Sequence, residues 1–136
     1  FISQCPYAGG IPMDWDGYAQ WKWFDDEVDT WNQPNGRSPA WAGVDEFYNY
    51  AENNSGFGLV AEVHPNLYTG EPGDVLQYGA TGEWRHSVII TDVIYGEDGR
   101  VQDYLINSNT TDRISYPASA YAYYDFRLIH VLGWND

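Results

Sequence analysis

Near the middle of the chain a histidine stands at the head of a β-branched run, Trp84-Arg85-His86-Ser87-Val88-Ile89-Ile90-Thr91-Asp92-Val93-Ile94. An imidazole titrates near neutrality and can take up and return a proton. A general base also needs a neighbour that holds one tautomer in place, and an amide oxygen suffices. Asn109 is the candidate. The turn signal Gly96-Glu97-Asp98-Gly99 leads into a second strand, Val101 to Asn107, so the two runs read as a hairpin. With Asp98-Gly99 as a two-residue turn, Val88 pairs with Asn109; with a four-residue loop, His86 lies directly opposite it. Either register sets His86 and Asn109 on one face, opposite or diagonal. A three-residue loop or a bulge would substitute a neighbour of Asn109. The same pattern also fits a histidine that only caps a core strand.

The elements that must position this pair follow from periodicity. Alternation puts His86, Val88 and Ile90 on one face of the strand and Ser87 and Ile89 on the other, and a strand apolar on both faces is usually central. Trp84 and Ser87, close beside His86 in sequence, are the candidate substrate contacts, with Trp84 expected to flank a cleft. Phe1 and Cys5 fall at helical spacing, Ala8-Gly9-Gly10 stops that helix, and Pro6 sits awkwardly inside it. Val44, Phe47, Tyr48 and Ala51 mark a second helix ending at Asn53-Asn54-Ser55-Gly56. Leu59 to Val63, Asp74 to Tyr78 and Phe126 to Leu132 read as strands, and Pro117-Ala118-Ser119 as a Tyr-rich helical turn. Helices first and an antiparallel meander afterwards predict an α+β fold over residues 1–136 as a single domain.

Composition narrows the function classes. Six basic residues against 20 acidic ones give a formal charge of −14, which repels nucleic acid and anionic membranes. No apolar run is long enough to span a bilayer, so no membrane insertion is expected. One cysteine excludes an internal disulfide framework, and three histidines without paired spacing argue against a zinc site, so neither a metal nor a cofactor is expected. The abrupt apolar start at Phe1-Ile2, with no initiator methionine and no signal peptide, suggests a chain cut from something longer. Between Met13 and Asn35, Trp15, Trp21, Trp23, Phe24 and Trp31 alternate with Asp14, Asp16, Asp25, Asp26, Glu27 and Asp29. These rings either line a binding cleft or close one edge of the core. Asp14-Trp15-Asp16-Gly17 holds fragments of a calcium loop but lacks its later ligands. His64, before Pro65, reads as an exposed loop residue, His130 as structural, Asp74 as a turn cap, and Asp112-Arg113 as a turn-fixing ion pair.

Six segments in order carry a resemblance: Phe1-Ile2-Ser3-Gln4-Cys5, Ala8 to Met13, Trp41 to Tyr50, Gly73-Asp74-Val75-Leu76-Gln77-Tyr78, His86 to Thr91, and Asn109-Thr110-Thr111-Asp112-Arg113. Together they resemble the successive signatures of the bacterial putative amidase domain family, which is similar to the papain-like cysteine hydrolases of cell-wall metabolism. The resemblance implies a papain-like α+β fold, His86 as general base and Asn109 as the residue that orients it. It implies amide hydrolysis, with peptidoglycan stem peptides as the favoured substrate and a secreted or cell-wall location. In the family the nucleophilic cysteine lies on the helix just ahead of the run that begins here at Phe1. Cys5 falls about two turns deeper, where a thiol behaves as a small apolar residue, and Pro6 beside it departs from the pattern. Three readings stand: a cysteine amidase or peptidase, a non-catalytic module binding glycan or peptide on its aromatic residues, and a structural domain that has lost its nucleophile.

Overall fold

β-Branched and aromatic residues at period two build six strands: β1 (Gly58–His64), β2 (Val75–Ala80), β3 (Glu83–Tyr95), β4 (Val101–Ser108), β5 (Arg113–Pro117) and β6 (Asp125–Asn135). In the computed structural model, which describes residues 1–16, 19–28, 33–64, 66–109 and 111–136 (backbone only at residue 64), they form one sheet in the order β1-β6-β2-β3-β4-β5. Every pairing is antiparallel. Strands β2 to β5 meander, and β6 then returns to insert between β1 and β2. With helices on the same chain the class is α+β.

Both sheet faces are covered, which explains the unbroken burial of β2 from Val75 to Gly79. One face carries Leu59, Val75 and Ile129 and packs against Ile2, Trp21, Phe47 and Ala51. The other carries Leu76, Tyr78, Val88, Ile90, Tyr104, Ile106 and Leu128 under Ala118 and a cap of tyrosines. Adjacent residues of β2, Val75 and Leu76, therefore both vanish from solvent, on opposite sides.

Three helices sit on the first face: α1 (Gln4–Ala8), α2 (Pro39–Ala42) and α3 (Val44–Asn53). The expected helix from Phe1 starts later, at Gln4, and this removes the difficulty with Pro6. Pro6 occupies the first turn, where its missing N–H would have had no partner inside the helix. Helix α3 buries Phe47 and Ala51 of the stripe its periodicity announces, and Tyr50 besides, while Val44 and Tyr48 are half-buried; Asp45 and Glu46 lie in its first turn. Trp21, in the Trp-rich region, is core: it is fully buried, lies 4.9 Å from the Trp41 ring and stacks on Tyr50.

The structure departs from the sequence reading in four places. The Gly96 N–H donates to the Arg100 carbonyl at 2.8 Å and Tyr95 pairs with Val101, so the hairpin loop is the three residues 97–99, and bulges follow between Ile94 and Tyr95 and between Ile90 and Asp92. The register of the two-residue turn holds only between the two bulges, where Asp92, Val93 and Ile94 face Leu105, Tyr104 and Asp103; beyond Ile90 the pairing is shifted by one residue, so Val88 no longer comes opposite Asn109. Arg113 opens strand β5, with no ion pair to Asp112 among the described residues. His64 ends strand β1, its backbone opposite Leu128, where a loop was expected. Strand β6 continues to Asn135, past Gly133 at φ 140°, a conformation open to glycine. Gly17, Asp29, Trp31, Pro65 and Thr110, which entered the sequence reading, lie outside the described residues.

Candidate active site

The end of the sheet where β3 begins borders a cleft of about 240 Å³. One wall is the start of the chain, Phe1 to Ser3, together with the junction of α2 and α3 from Trp41 to Val44. The opposite wall is Arg85, His86, Ser87 and Asn109. Ser3 fixes the first wall: its buried hydroxyl donates to the Trp41 carbonyl at 2.8 Å and accepts from the Trp21 indole at 2.9 Å. The first residues of the chain are thereby held against α2, facing His86.

His86 is half-buried, and its ring lies 5.4 Å from that of Tyr78, its cross-strand neighbour. Tyr78 in turn stacks on Tyr121 at 4.4 Å, and burial pushes its phenol well above the ordinary range. The imidazole therefore packs over the Tyr78 ring, and His86 also lines the cleft. Asn109 is exposed in the turn after β4. Continued by two residues, the Ile89–Asn107 register would face Asn109 with Ser87, but the ladder stops first. His86 and Asn109 share the cleft, and no hydrogen bond joins them among the described residues.

Ser87 faces the helices. Its hydroxyl accepts from the Gln77 amide at 2.9 Å, and the same amide donates to the Val44 carbonyl at 2.9 Å. Gln77 Oε1 accepts from Arg127 Nε at 2.8 Å, and the Arg127 guanidinium reaches Asp45 at 3.1 Å. Burial lowers the pKa of Arg127, with the Asp45 bond opposing the shift. Sequence reasoning missed Gln77 and Arg127 altogether; a glutamine in the middle of an apolar strand was the one signal available. This network clamps the N-terminal end of α3 to the sheet beside His86.

Trp84, expected to flank the cleft, is absent from its lining and lies with its ring 4.2 Å from the Arg127 guanidinium, which also rests on Tyr48 at 3.5 Å. A bulge is the cause. Tyr78 pairs with His86, but Gly79 pairs with Trp84, so Arg85 is extra and Trp84 turns to the helix face.

Cys5 lies in α1 and outside the cleft lining, with its thiol 3.5 Å from the Phe1 carbonyl; burial pushes its pKa up. Both features oppose use as a nucleophile, which needs an accessible, stabilised thiolate. Asp74 and His130 form a separate pair at the far end of β2. Asp74 is buried, caps the turn by accepting from the Glu71 N–H at 2.8 Å, and takes the His130 Nδ1 at 2.8 Å and the Val131 N–H at 2.9 Å. Among the described residues no three His, Cys, Asp or Glu side chains gather as a metal site would need, and no helix is long and apolar enough to cross a membrane.

The family model of the putative amidase domain matches residues 1–132. The chain belongs to that family. No curated protein and no solved structure matches it. Membership in the amidase family makes the domain amidase-like, a hydrolase of amide bonds, and the match spans every element that builds the cleft. The family match thus covers His86, Ser87 and Asn109 on one wall and the start of the chain on the other.

Proposed function

We propose that this amidase domain is a cysteine-dependent hydrolase with a papain-like arrangement, acting on amide bonds of peptidoglycan stem peptides outside a bacterial cell. The observation that carries the reading is the cleft in which His86 and Asn109 face the first residues of the chain. In the family pattern the nucleophilic thiol stands just ahead of those residues, so it would enter beside His86. A thiolate there attacks the scissile carbonyl carbon, and the imidazolium returns its proton to the leaving amine. Water, deprotonated by the same imidazole, then releases the acyl group from sulfur. Asn109, which makes no hydrogen bond to His86 in this structure, would accept the ring N–H once substrate is bound and hold the tautomer, a role that moves no proton.

The test is amine release from peptidoglycan fragments by a longer chain that carries, just ahead of Phe1, a helical segment with a cysteine at the position of the family pattern. Activity is expected to disappear on thiol alkylation and to fall by several orders of magnitude in His86→Ala, and by less in Asn109→Ala. Cys5→Ser is expected to leave it intact. Hydrolysis that survives both alkylation and His86→Ala would overturn the reading. A second reading, a binding module without catalysis, is favoured by exposed aromatic rings elsewhere on the molecule; full inactivity of the longer chain would select it.

A further inference from the structure

At the opposite end of α3 from the cleft is a second concavity, of about 560 Å³, formed by residues 13–16, Ala19, Asn54, Gly56 and Phe57. Helix α3 has ten residues, which separates the two places by roughly 15 Å. Trp15 and Phe57 keep 40% and 46% of their surface exposed, values that decide the matter because rings of this size normally bury themselves. A third ring, Trp134, is 47% exposed and meets Phe57 edge-on at 6.3 Å, so it extends the aromatic surface past the rim.

The polar groups here are mostly acceptors. Asn54 commits its amide N–H donors to the carbonyls of Phe57 and Leu59, at 3.1 and 2.8 Å, and its Oδ1 accepts no bond among the described residues. Asp14 is buried and its carboxylate is taken up by the Tyr50 hydroxyl at 2.8 Å, whereas Asp16 is exposed. Among the described residues no Lys or Arg lines the space, and the chain carries −14 overall, which disfavours anionic polymers. A cationic peptide would find one exposed carboxylate, a weak attraction in water. A sugar fits the set better: its C–H faces pack on aromatic rings while its hydroxyls donate to carboxylate and amide oxygens. The volume also lies within the roughly 300–1,000 Å³ usual for ligand sites.

We propose that this cavity is a saccharide-binding site, in which Trp15 and Phe57 stack on pyranose rings and Asp16 and Asn54 Oδ1 accept hydrogen bonds from hydroxyl groups. It is separate from the amidase cleft and holds whether or not the cysteine mechanism does. The test is a titration of the ¹⁵N-labelled chain, followed by amide and indole NMR signals, with a β-1,4-linked N-acetylglucosamine tetramer, with cellotetraose and with tetralysine. At least one of the two saccharides is expected to give saturable shifts at the Trp15 indole and at residues 54–57. Trp15→Ala and Phe57→Ala are each expected to weaken that binding about tenfold, with signals from β3 and β4 unchanged as the check on folding. Absence of any saccharide response overturns the proposal. So does saccharide binding undiminished in both variants, or a response at these residues to tetralysine alone.

Discussion

Replacing Gln77 by leucine isolates what holds the candidate cleft together. The side chain is fully buried and makes three bonds, donating to the Val44 carbonyl and the Ser87 hydroxyl and accepting from Arg127. Leucine matches its bulk but offers none of them. A net loss of about 1 kcal/mol per bond sets the floor, and the partners left without a match in a buried place add to it, so we expect roughly 3–5 kcal/mol. Arg127 mitigates this because it retains Asp45, Tyr48 and Trp84. At a urea dependence of about 1.5 kcal/mol per molar, a loss of about 3 kcal/mol lowers the midpoint by about 2 M. Gln77→Glu sharpens the test: the carboxylate still accepts from Arg127 but faces the Val44 carbonyl with no proton to give, so it should recover only part of the loss. Urea unfolding followed by Trp fluorescence measures both. A change below about 1 kcal/mol in Gln77→Leu would show that the clamp contributes little and refute the argument.

Three other perturbations follow from the same geometry. Gly79→Ala would set a Cβ 1.9 Å from the Glu83 carbonyl oxygen, so the β2–β3 bulge must open; we expect a loss of more than about 3 kcal/mol in urea unfolding, and near-wild-type stability would show that the bulge is soft. The His130 pKa is raised mainly by its hydrogen bond to Asp74, so the pair's contribution is complete below the ordinary histidine pKa and fades as pH rises through the higher folded value. The melting temperature should therefore fall across that window in the wild-type chain, and a His130→Gln variant with the same slope would refute the linkage. Arg113 Nε is buried with no hydrogen-bond partner among the described residues, and the guanidinium lies 4.1 Å from the Tyr116 ring, so Arg113→Met should be neutral or stabilising; a loss above about 2 kcal/mol by urea unfolding contradicts this.

Local patterns made much of this fold legible. The α3 stripe, the β-branched run of β3 and the strand after Asp74 are each set by burial at a fixed period, and each formed where that period placed it. What failed depended on spacing between strands. The hairpin loop is three residues, 97–99, closed by the Gly96 N–H on the Arg100 carbonyl, and with the bulges that follow the register near Asn109 slips by one residue, which changes which side chain meets which. Strand β5 was hidden because Ile114-Ser115-Tyr116 is too short to show a period and buries none of its side chains fully; what makes it a strand is its pairing with β4. The Trp-rich region split in a way that composition does not encode: Trp21 entered the core through Ser3 and Tyr50, while Trp15 stayed at the surface.

The bulge at Arg85 shows how one irregularity can preserve a site while invalidating the argument that led to it. Strict alternation from Trp84 would put that ring on the same face as His86, beside the imidazole. With Arg85 extra, Trp84 and Ser87 both face the helices, three residues apart, while His86 turns to Tyr78. The helix-side pair can then serve the clamp, Ser87 through Gln77 and Trp84 through Arg127. His86 is left at the edge between two environments, the tyrosine cap and the cleft. Gly79 makes this possible, since no side chain fits against the Glu83 carbonyl. Gly79, next to the last residue of β2, thus decides which neighbours of His86 border the cleft: Arg85 and Ser87 do, and Trp84 packs on Arg127 instead.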